Sequence, residues 1–202
     1  MTGDLPATRI QLGPLPRDTT RGQQLGHLTR EIATVLREHP PEMVIVHGDT
    51  TSALAGALAA NAAVIPLVHV EAGLRSFDRA MPEEHNRVLI DHLADLCCAP
   101  TTTAADNLRA ERIPTERIVI TGNTIVEAAR QALPAPRRQD EILEQLGVTT
   151  QRYILATVHR PENADNPAVM EQLLVQFTNL PVPVVLPLHP RTRKQIQDHG
   201  LY

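Results

Sequence analysis

The sequence predicts an α/β protein built from doubly wound parallel sheets. Short, continuous apolar runs alternate with segments of helical pattern along the chain. Continuous apolar strands are typical of parallel sheets covered by helices on both faces, whereas antiparallel strands would alternate polar and apolar residues. The core is expected to be aliphatic, because 42% of the 202 residues are hydrophobic and only 2% are aromatic.

The first part of the chain is predicted to form one domain, residues 1–133. A first helix is expected at 22–38. The strands that follow are predicted at residues 43–47, 66–71, 96–99 and 117–120. Each strand is followed by a helical pattern, at residues 51–60, 82–94, 102–111 and 124–133. This alternation is the pattern of βαβ units and predicts a parallel sheet.

Residues 134–138, Pro-Ala-Pro-Arg-Arg, interrupt the alternation. Two prolines and two arginines make a stiff, solvated connector, which we interpret as a linker between domains. The alternation of helices and strands resumes in a second domain, residues 139–202, with strands expected at 153–157 and 182–188. Two parallel strands expose too much apolar surface to stand alone. The second domain is therefore expected to be incomplete.

Composition and charge argue against two classes of partner. The net charge is −4 and no basic run occurs, whereas a nucleic-acid surface needs a positive stripe that neutralises phosphates. The most apolar stretch, residues 53–70, is interrupted by Asn61, Pro66 and His69, and a membrane span takes about 20 predominantly apolar residues. Residues 1–9 lack the apolar core of a secretory signal. We expect a cytoplasmic protein without nucleic-acid or membrane partners.

Polar side chains follow the predicted strands, at the edge where open α/β sheets bind their ligands. Asp49 follows the first strand, Glu71 ends the second, and Glu83 opens the next helix. Carboxylates held close together are suited to proton transfer. In the second domain His159 and Arg160 follow a strand, and a cationic wall suits a diphosphate leaving group.

Taken singly, most of these residues have an ordinary structural explanation. Asp49 can cap the helix that it precedes. Glu83 lies where the helix dipole favours acids, and Arg87, one turn further along, can form a surface ion pair with it. Glu71 is different, because it ends an apolar strand and precedes Ala-Gly, where a carboxylate has little local use. The joint arrangement indicates function more strongly than any one member.

Five motifs appear in order between residues 47 and 163. They are His-Gly-Asp-Thr-Thr at 47–51, His-Val-Glu-Ala-Gly-Leu-Arg at 69–75, Pro-Glu-Glu with Asn-Arg at 82–87, Thr-Gly-Asn-Thr at 121–124, and His-Arg with Glu-Asn at 159–163. Their order and spacing resemble the non-hydrolysing UDP-N-acetylglucosamine 2-epimerases. A single motif would be weak evidence for this family, but five motifs in the same order are specific evidence.

The resemblance implies two doubly wound, Rossmann-like domains of the glycosyltransferase-B type, with the active site in the cleft between them. Both are expected to be incomplete here: residues 1–133 as the C-terminal part of the first domain and residues 139–202 as the start of the second, UDP-binding domain. It implies no metal and no organic cofactor, and a homodimer that supplies amino sugars for envelope polysaccharides. The implied isomerase interconverts UDP-N-acetylglucosamine and UDP-N-acetylmannosamine. UDP is eliminated to leave a 2-acetamidoglucal, then added back with a proton on the opposite face of C2.

The resemblance also implies roles for residues at matching motif positions. Asp49, Glu71 and Glu83 match the catalytic carboxylates, Arg87 the active-site arginine, and His159 the active-site histidine. Which carboxylate serves which face of the sugar stays open. The residues expected to bind the substrate are Arg75, Asn123, Arg160, Glu162 and Asn163.

Parts of the family pattern do not occur in this sequence. Full-length members open with a Gly-Thr-Arg-Pro-Glu phosphate loop and close with a Ser-Gly-Gly-x-x-Glu-Glu loop that holds UDP, together with an aromatic residue that stacks on uracil. We therefore expect a chain that is truncated at both ends relative to the family. Two alternatives follow: a catalytically inactive remnant or interaction module, and a glycosyltransferase of the same architecture. The acidic triad argues against the second, since simple glycosyl transfer does not need it.

Overall fold

The computed structural model of the protein describes residues 10–15, 18–158, 163 and 165–200. The chain divides into two compact units that meet between Gln131 and Ala132. Residues 136–138 of the proposed linker lie in a helix. The division into domains at 134–138 stays a prediction.

The first unit alternates helices with parallel strands. Its elements are α1 (Arg21–Glu38), β1 (Val44–His47), α2 (Thr51–Ala62), β2 (Leu67–Val70), α3 (Pro82–Leu93), β3 (Leu96–Ala99), α4 (Thr102–Ala110), a 3-10 helix (Thr115–Arg117), β4 (Ile118–Ile120) and α5 (Thr124–Ala132). The four strands form one sheet in the order β1-β2-β3-β4, and every neighbouring pair is parallel. The predicted α/β fold class with parallel sheets is confirmed.

Threonine side chains start several helices of the first unit. Thr20 forms a capping box with Gln23, in which each side chain bonds to the backbone of the other residue. Thr50 accepts from Ala53 N at the start of α2. The expectation that Asp49 caps α2 is therefore wrong: the cap is one residue later, because the hydroxyl of Thr50 reaches the free N–H.

The core of the first unit is aliphatic and rich in alanine. Helix α2 packs against α1, α3 and β1, so nearly all of its sides are apolar. Gly56 lets this helix approach the sheet closely, because a Cβ there would lie 3.1 Å from Val46 Cγ1. The buried core residues are Val46, Ala53, Leu54, Ala57, Ala60, Leu67, Ala72, Ile90, Ala94, Cys97, Ala99, Ala104, Ala105, Leu108 and Ile113.

The second unit is a smaller α/β unit. Its elements are α6 (Pro136–Gln145), β5 (Ile154–Leu155), α7 (Pro167–Thr178), β6 (Val184–Val185) and α8 (Pro190–Asp198). The two strands pair in parallel. Met170 and Ile196 form the centre of a small core. An open, largely apolar groove of about 870 Å³ runs along α7 and β6.

Strand β1 is an edge strand of the described sheet and leaves apolar side chains exposed. Ile45 is 62% exposed and Met43 is also exposed.

On β3 the two cysteines are free thiols, and burial raises the pKa of Cys97 to about 12, so it packs as a neutral side chain. None of the described helices is long and apolar enough to cross a membrane.

Candidate active site

Two of the predicted carboxylates lie at the same edge of the first sheet. His47 ends β1 and pairs in register with Val70, which ends β2. Asp49 follows His47 by two residues, and Glu71 follows Val70 directly. The carboxyl ends of these adjacent parallel strands therefore bring both side chains to one side, the side on which doubly wound sheets bind ligands.

Glu71 has a left-handed backbone conformation, with φ +69°. This region is unfavourable for a side chain larger than that of glycine, so the surrounding structure must hold the residue there. Glu71 Oε1 lies 3.2 Å from His47 Nε2, and both side chains are accessible to solvent. The pair can pass a proton between carboxylate and imidazole, a role for His47 that the sequence analysis did not assign.

Arg87 binds Asp49 with two donors. Its Nε and Nη2 lie 2.8 and 2.7 Å from Asp49 Oδ2, and its Nη1 donates to Glu84 Oε2 at 2.8 Å. Burial alone would lower the pKa of Arg87, but the bonds to Glu84 and the charge of Asp49 outweigh it and raise the pKa. The expectation of a surface pair with Glu83 is wrong, because Arg87 turns inward to these two carboxylates.

Glu84 is a buried carboxylate that the sequence analysis did not single out. It accepts from Ser76 N and Oγ at 2.9 Å, from Phe77 N at 3.0 Å, and from Arg87. Burial alone would raise the pKa of Glu84, yet these hydrogen bonds lower it from 4.5 to about 2. Glu84 thus holds the loop after β2 against α3. A signal existed in the sequence, because Glu84, Arg87 and Asp91 share one helical face at spacings of three and four.

Glu83 differs sharply from its neighbour Glu84. It lies in the first turn of α3 and is exposed. Within the described part of the chain its carboxylate makes no hydrogen bond or ion pair. Its carboxylate is therefore available to a ligand, whereas that of Glu84 is fully used by the protein.

Asn86 and Arg21 form a chain of hydrogen bonds that ends at the backbone of Asp49. Asn86 is buried, and its Nδ2 donates to the backbone carbonyl of Asp49 at 2.6 Å. Arg21, at the start of α1, donates to Asn86 Oδ1 and to the carbonyl of Pro82. The Asn-Arg motif of α3 therefore contacts Asp49 twice, through the backbone by Asn86 and through the carboxylate by Arg87.

Arg75 lies in the protein interior in this structure. Its side chain is 1% exposed and donates to Asp91 and, twice, to Glu111 at 2.7 Å. Burial alone would lower the pKa of Arg75, but these carboxylates raise it well above its ordinary value. A direct contact between Arg75 and a substrate stays a prediction.

Of the other residues predicted to act on or bind the substrate, Asn123 and Asn163 lie among the described residues. Asn123 follows β4 at the same sheet edge as Asp49, and its Oδ1 accepts from Ile125 N in the first turn of α5. Asn163 is half-buried in the second unit. His159, Arg160 and Glu162 lie outside the described residues. Among the residues that the structure describes, no group of three or more His, Cys, Asp or Glu is arranged to hold a metal ion.

The arrangement in the first unit is suited to acid–base chemistry. One carboxylate, Asp49, is oriented by a bidentate arginine. A second, Glu71, faces an accessible histidine, and a third, Glu83, is free and exposed. Groups in such different environments can serve as acid and base in one reaction.

Comparisons with known proteins point to one family. The sequence model described as UDP-N-acetylglucosamine 2-epimerase matches residues 4–200. The chain is 43% identical over 188 residues to a UDP-N-acetylglucosamine 2-epimerase of Methanococcus maripaludis, covering 90% of this chain and 51% of the relative. It is 41% identical over 191 residues to a UDP-2,3-diacetamido-2,3-dideoxy-D-glucuronate 2-epimerase of Pseudomonas aeruginosa, covering 90% and 51%.

A solved structure agrees with the sequence comparisons. The crystal structure of the Methanocaldococcus jannaschii UDP-GlcNAc 2-epimerase, in complex with UDP-GlcNAc and UDP, superimposes with a TM-score of 0.76 at 39% identity. The match covers 93% of this chain and 55% of that structure. The chain thus spans about half the length of the curated relatives that it matches. With a family model that matches nearly its whole length, the chain belongs to the UDP-N-acetylglucosamine 2-epimerase family.

Proposed function

We propose that this chain carries acid–base groups of a UDP-N-acetylglucosamine 2-epimerase that eliminates UDP and adds it back. The observation that carries the proposal is the common sheet edge of Asp49 and Glu71, each with its own cationic or titratable partner. Inversion at C2 removes a weakly acidic hydrogen and returns a proton on the other face. This requires at least two differently poised groups, and the site provides them.

The proposed roles follow from what each side chain touches. Asp49 is held by Arg87 and Asn86, so its carboxylate has a defined direction. Glu71 can exchange a proton with His47 and through it with solvent. Glu83 is unpaired within the described residues and can meet the sugar. His159 is proposed to act near the departing diphosphate, as the resemblance implies.

UDP-N-acetylglucosamine is the proposed substrate, because the matched family and the M. maripaludis relative bear that name. The P. aeruginosa relative, nearly as similar, is named for a diacetamido glucuronate. Both compounds are UDP sugars with a 2-acetamido group, so the same C2 chemistry serves either. Assembly as a homodimer and residence in the cytoplasm are parts of this proposal that rest on the family resemblance.

The test is deuterium incorporation at C2 of the sugar in deuterated water, followed by proton NMR with each of the two UDP sugars. We expect slow incorporation. Removal of one preorganised donor from a site that stabilises developing charge costs roughly 100- to 1000-fold in rate, and the phosphate loops of the family pattern do not occur in this sequence. The Glu71→Gln variant measures the background.

Glu116→Gln is the matched control. Glu116 is exposed and precedes β4, so it lies at the opposite edge of the sheet. Deuterium that is incorporated by the wild type and by Glu116→Gln, but not by Glu71→Gln, Asp49→Asn or Glu83→Gln, supports the proposal. Transfer of the sugar to an acceptor would indicate a glycosyltransferase, and no exchange by any form would contradict the proposal for this chain.

A further inference from the structure

A buried polar cluster lies directly behind the two loops that carry Asp49 and Glu71. Its centre is His69 on β2 and Asp91 on α3, whose side chains are both fully buried. Arg75 and Glu111 complete the cluster. We define these four residues as the His69–Asp91 cluster. His69, Asp91 and Arg75 are almost completely buried, whereas Glu111 is half-buried at the end of the cluster. Buried polar groups are costly unless they are hydrogen-bonded.

His69 uses both ring nitrogens. Nε2 lies 3.0 Å from the backbone carbonyl of Gly48, and a carbonyl only accepts, so Nε2–H donates. Nδ1 lies 2.6 Å from Asp91 Oδ1. Two acceptors cannot face each other at this distance, so one proton lies between Nδ1 and Oδ1. The pair therefore holds a proton in the protein interior, whichever of the two atoms carries it.

Asp91 uses both of its carboxylate oxygens, Oδ1 toward His69 and Oδ2 toward Gly73 and Arg75. Asp91 Oδ2 accepts from Gly73 N at 3.1 Å and from Arg75 Nη2 at 2.7 Å, and Arg75 also pairs with Glu111. With the shared proton the cluster carries two positive and two negative groups, or their neutral equivalents. Glu111 is half-buried, and its Oε2 also lies 3.7 Å from Nε2 of the exposed His92.

The cluster is hydrogen-bonded to the backbone of both loops that carry the proposed catalytic carboxylates. The Gly48 carbonyl that His69 binds belongs to the residue before Asp49. The Gly73 N–H that Asp91 binds lies two residues after Glu71. The backbone of Gly73 packs closely against α4, because a Cβ at this position would lie 2.2 Å from the carbonyl oxygen of Ala104. One buried pair thus ties together the backbones on which both carboxylates stand.

We infer that His69 and Asp91 are a positioning pair that sets the spacing of Asp49 and Glu71 through hydrogen bonds. What the two carboxylates do rests on the proposed function, but their placement by this pair is measurable without turnover. His69 and Asp91 do not meet the substrate in this role. They act through the backbone at Gly48 and Gly73.

The hydrogen-bonding role can be separated from charge by two substitutions at one position. In Asp91→Asn the amide nitrogen can donate to Nδ1 of a neutral His69, while the amide oxygen still accepts from Gly73 and Arg75. Every hydrogen bond is retained, and the Arg75–Glu111 pair remains neutral. In Asp91→Ala all of these bonds are lost. The pair of variants therefore differs in hydrogen bonding and agrees in the loss of the carboxylate.

The experiment is NMR of the isotope-labelled full chain, wild type and variants. We expect the wild type to show a slowly exchanging, strongly downfield proton from the short Nδ1–Oδ1 hydrogen bond, since charge-assisted bonds of this length are strong and this one is shielded from water. Amide hydrogen exchange at Gly73 should become about 10- to 100-fold faster in Asp91→Ala, because this amide loses its buried acceptor. In Asp91→Asn the downfield proton should disappear, while the exchange rate at Gly73 stays within about threefold of wild type.

Ile90→Ala is the control for general destabilisation. Ile90 is fully buried and adjacent in sequence, but it contributes no hydrogen bond to the cluster. It should accelerate exchange across the core without selecting Gly73. If Asp91→Ala does not fold, His69→Gln provides the second disruption, with displaced Gly48 and Asp49 amide resonances expected.

Three outcomes would overturn the inference: absence of the downfield proton in the wild type, loss of Gly73 protection in Asp91→Asn equal to that in Asp91→Ala, or the same selective pattern in Ile90→Ala. Where deuterium incorporation is measurable, Asp91→Ala should lower kcat with little change in KM, and Asp91→Asn should restore kcat. Failure of the proposed function would appear instead as intact NMR signatures without exchange at C2.

Discussion

The two units of the chain are built from the same alternation of strands and helices but differ greatly in how much they bury. Among the described residues, the first unit has four strands and a contiguous aliphatic core, whereas the second unit has two strands and a small core centred on Met170 and Ile196. Each added parallel strand brings a helix that covers it, so burial rises with every βαβ unit. In these α/β units, the number of strands therefore determines whether polar side chains can also be buried.

The unit that buries more apolar side chains also buries more polar side chains. The first unit buries His69, Glu84, Asn86 and Asp91, all of them hydrogen-bonded, whereas the described part of the second unit buries Thr192. Desolvating a charged group costs several kcal/mol unless its partners are already in position. Charged side chains can therefore be buried only where the surrounding core holds their hydrogen-bond partners in place. In this protein the core of the first unit does so.

The largest expected effect is on the core of the first unit. Leu108→Ala should destabilise it by about 3–5 kcal/mol, because a fully buried leucine is replaced by a cavity. Met170→Ala in the second unit should unfold that unit at much lower urea, since its core is small. Urea titrations followed by amide NMR report each unit separately. Equal midpoints for the two wild-type units would break the comparison, and Leu155→Ala, at an exposed position of β5, should change little.

The next largest effect separates two adjacent glutamates. Glu84→Gln should lower the stability of the first unit by an amount on the order of 3 kcal/mol at pH 7, because the pKa of Glu84 falls from 4.5 to about 2 on folding. Glu83→Gln should leave stability within about 0.5 kcal/mol, since Glu83 is exposed. Urea unfolding of both variants checks this, and equal losses of stability would contradict the assignment.

The same glutamate predicts a pH dependence. A carboxylate whose pKa is depressed on folding stabilises the protein above its unfolded pKa, and this contribution disappears as the pH falls through the folded pKa. Wild-type stability should therefore decline between about pH 4.5 and pH 2 more steeply than that of Glu84→Gln. Parallel declines for the two proteins would show that other groups dominate the acid response.

A smaller effect distinguishes a site ion pair from a surface pair. Asp49→Asn should cost about 1–2 kcal/mol, because Arg87 is largely buried and loses the charge of one of its two partners. Asp106→Asn breaks an equally short pair with Arg109 that is exposed, and should cost at most about 0.5 kcal/mol. Thermal unfolding of both variants measures the difference. Costs of similar size would mean that burial around Arg87 is less important than the geometry indicates.

The smallest effect on stability is expected at the sheet edge. Ile45→Lys replaces an exposed apolar residue on the edge strand β1, so the free energy of unfolding should change by less than about 0.5 kcal/mol. Self-association should fall, because exposed apolar edges recruit other chains and a lysine opposes this. Light scattering at high protein concentration checks the prediction. A wild type that is already a clean monomer would contradict it.

The candidate site was predictable where it depends on strand direction. Parallel strands in a doubly wound sheet end at one edge, and this was enough to predict that Asp49 and Glu71 lie at the same edge. The partner of Arg87 was not predictable in the same way. Spacing allowed Glu83 at four residues or Glu84 at three, and only the packing of α3 against the loop at Ser76 selected Glu84.

Sequence by itself determined the α/β class, the alternation of strands and helices along the chain and the motif positions that identify the family, because these depend on local periodicity and spacing. The tertiary structure decided which polar groups are buried and bonded. Arg75 donates to Asp91 and Glu111, Asn86 donates to the carbonyl of Asp49, and His69 Nδ1 lies 2.6 Å from Asp91 Oδ1. These partners lie on different elements, up to 37 residues apart in the case of Asn86 and Asp49. Their meeting depends on how helices pack on the sheet, which no local pattern encodes.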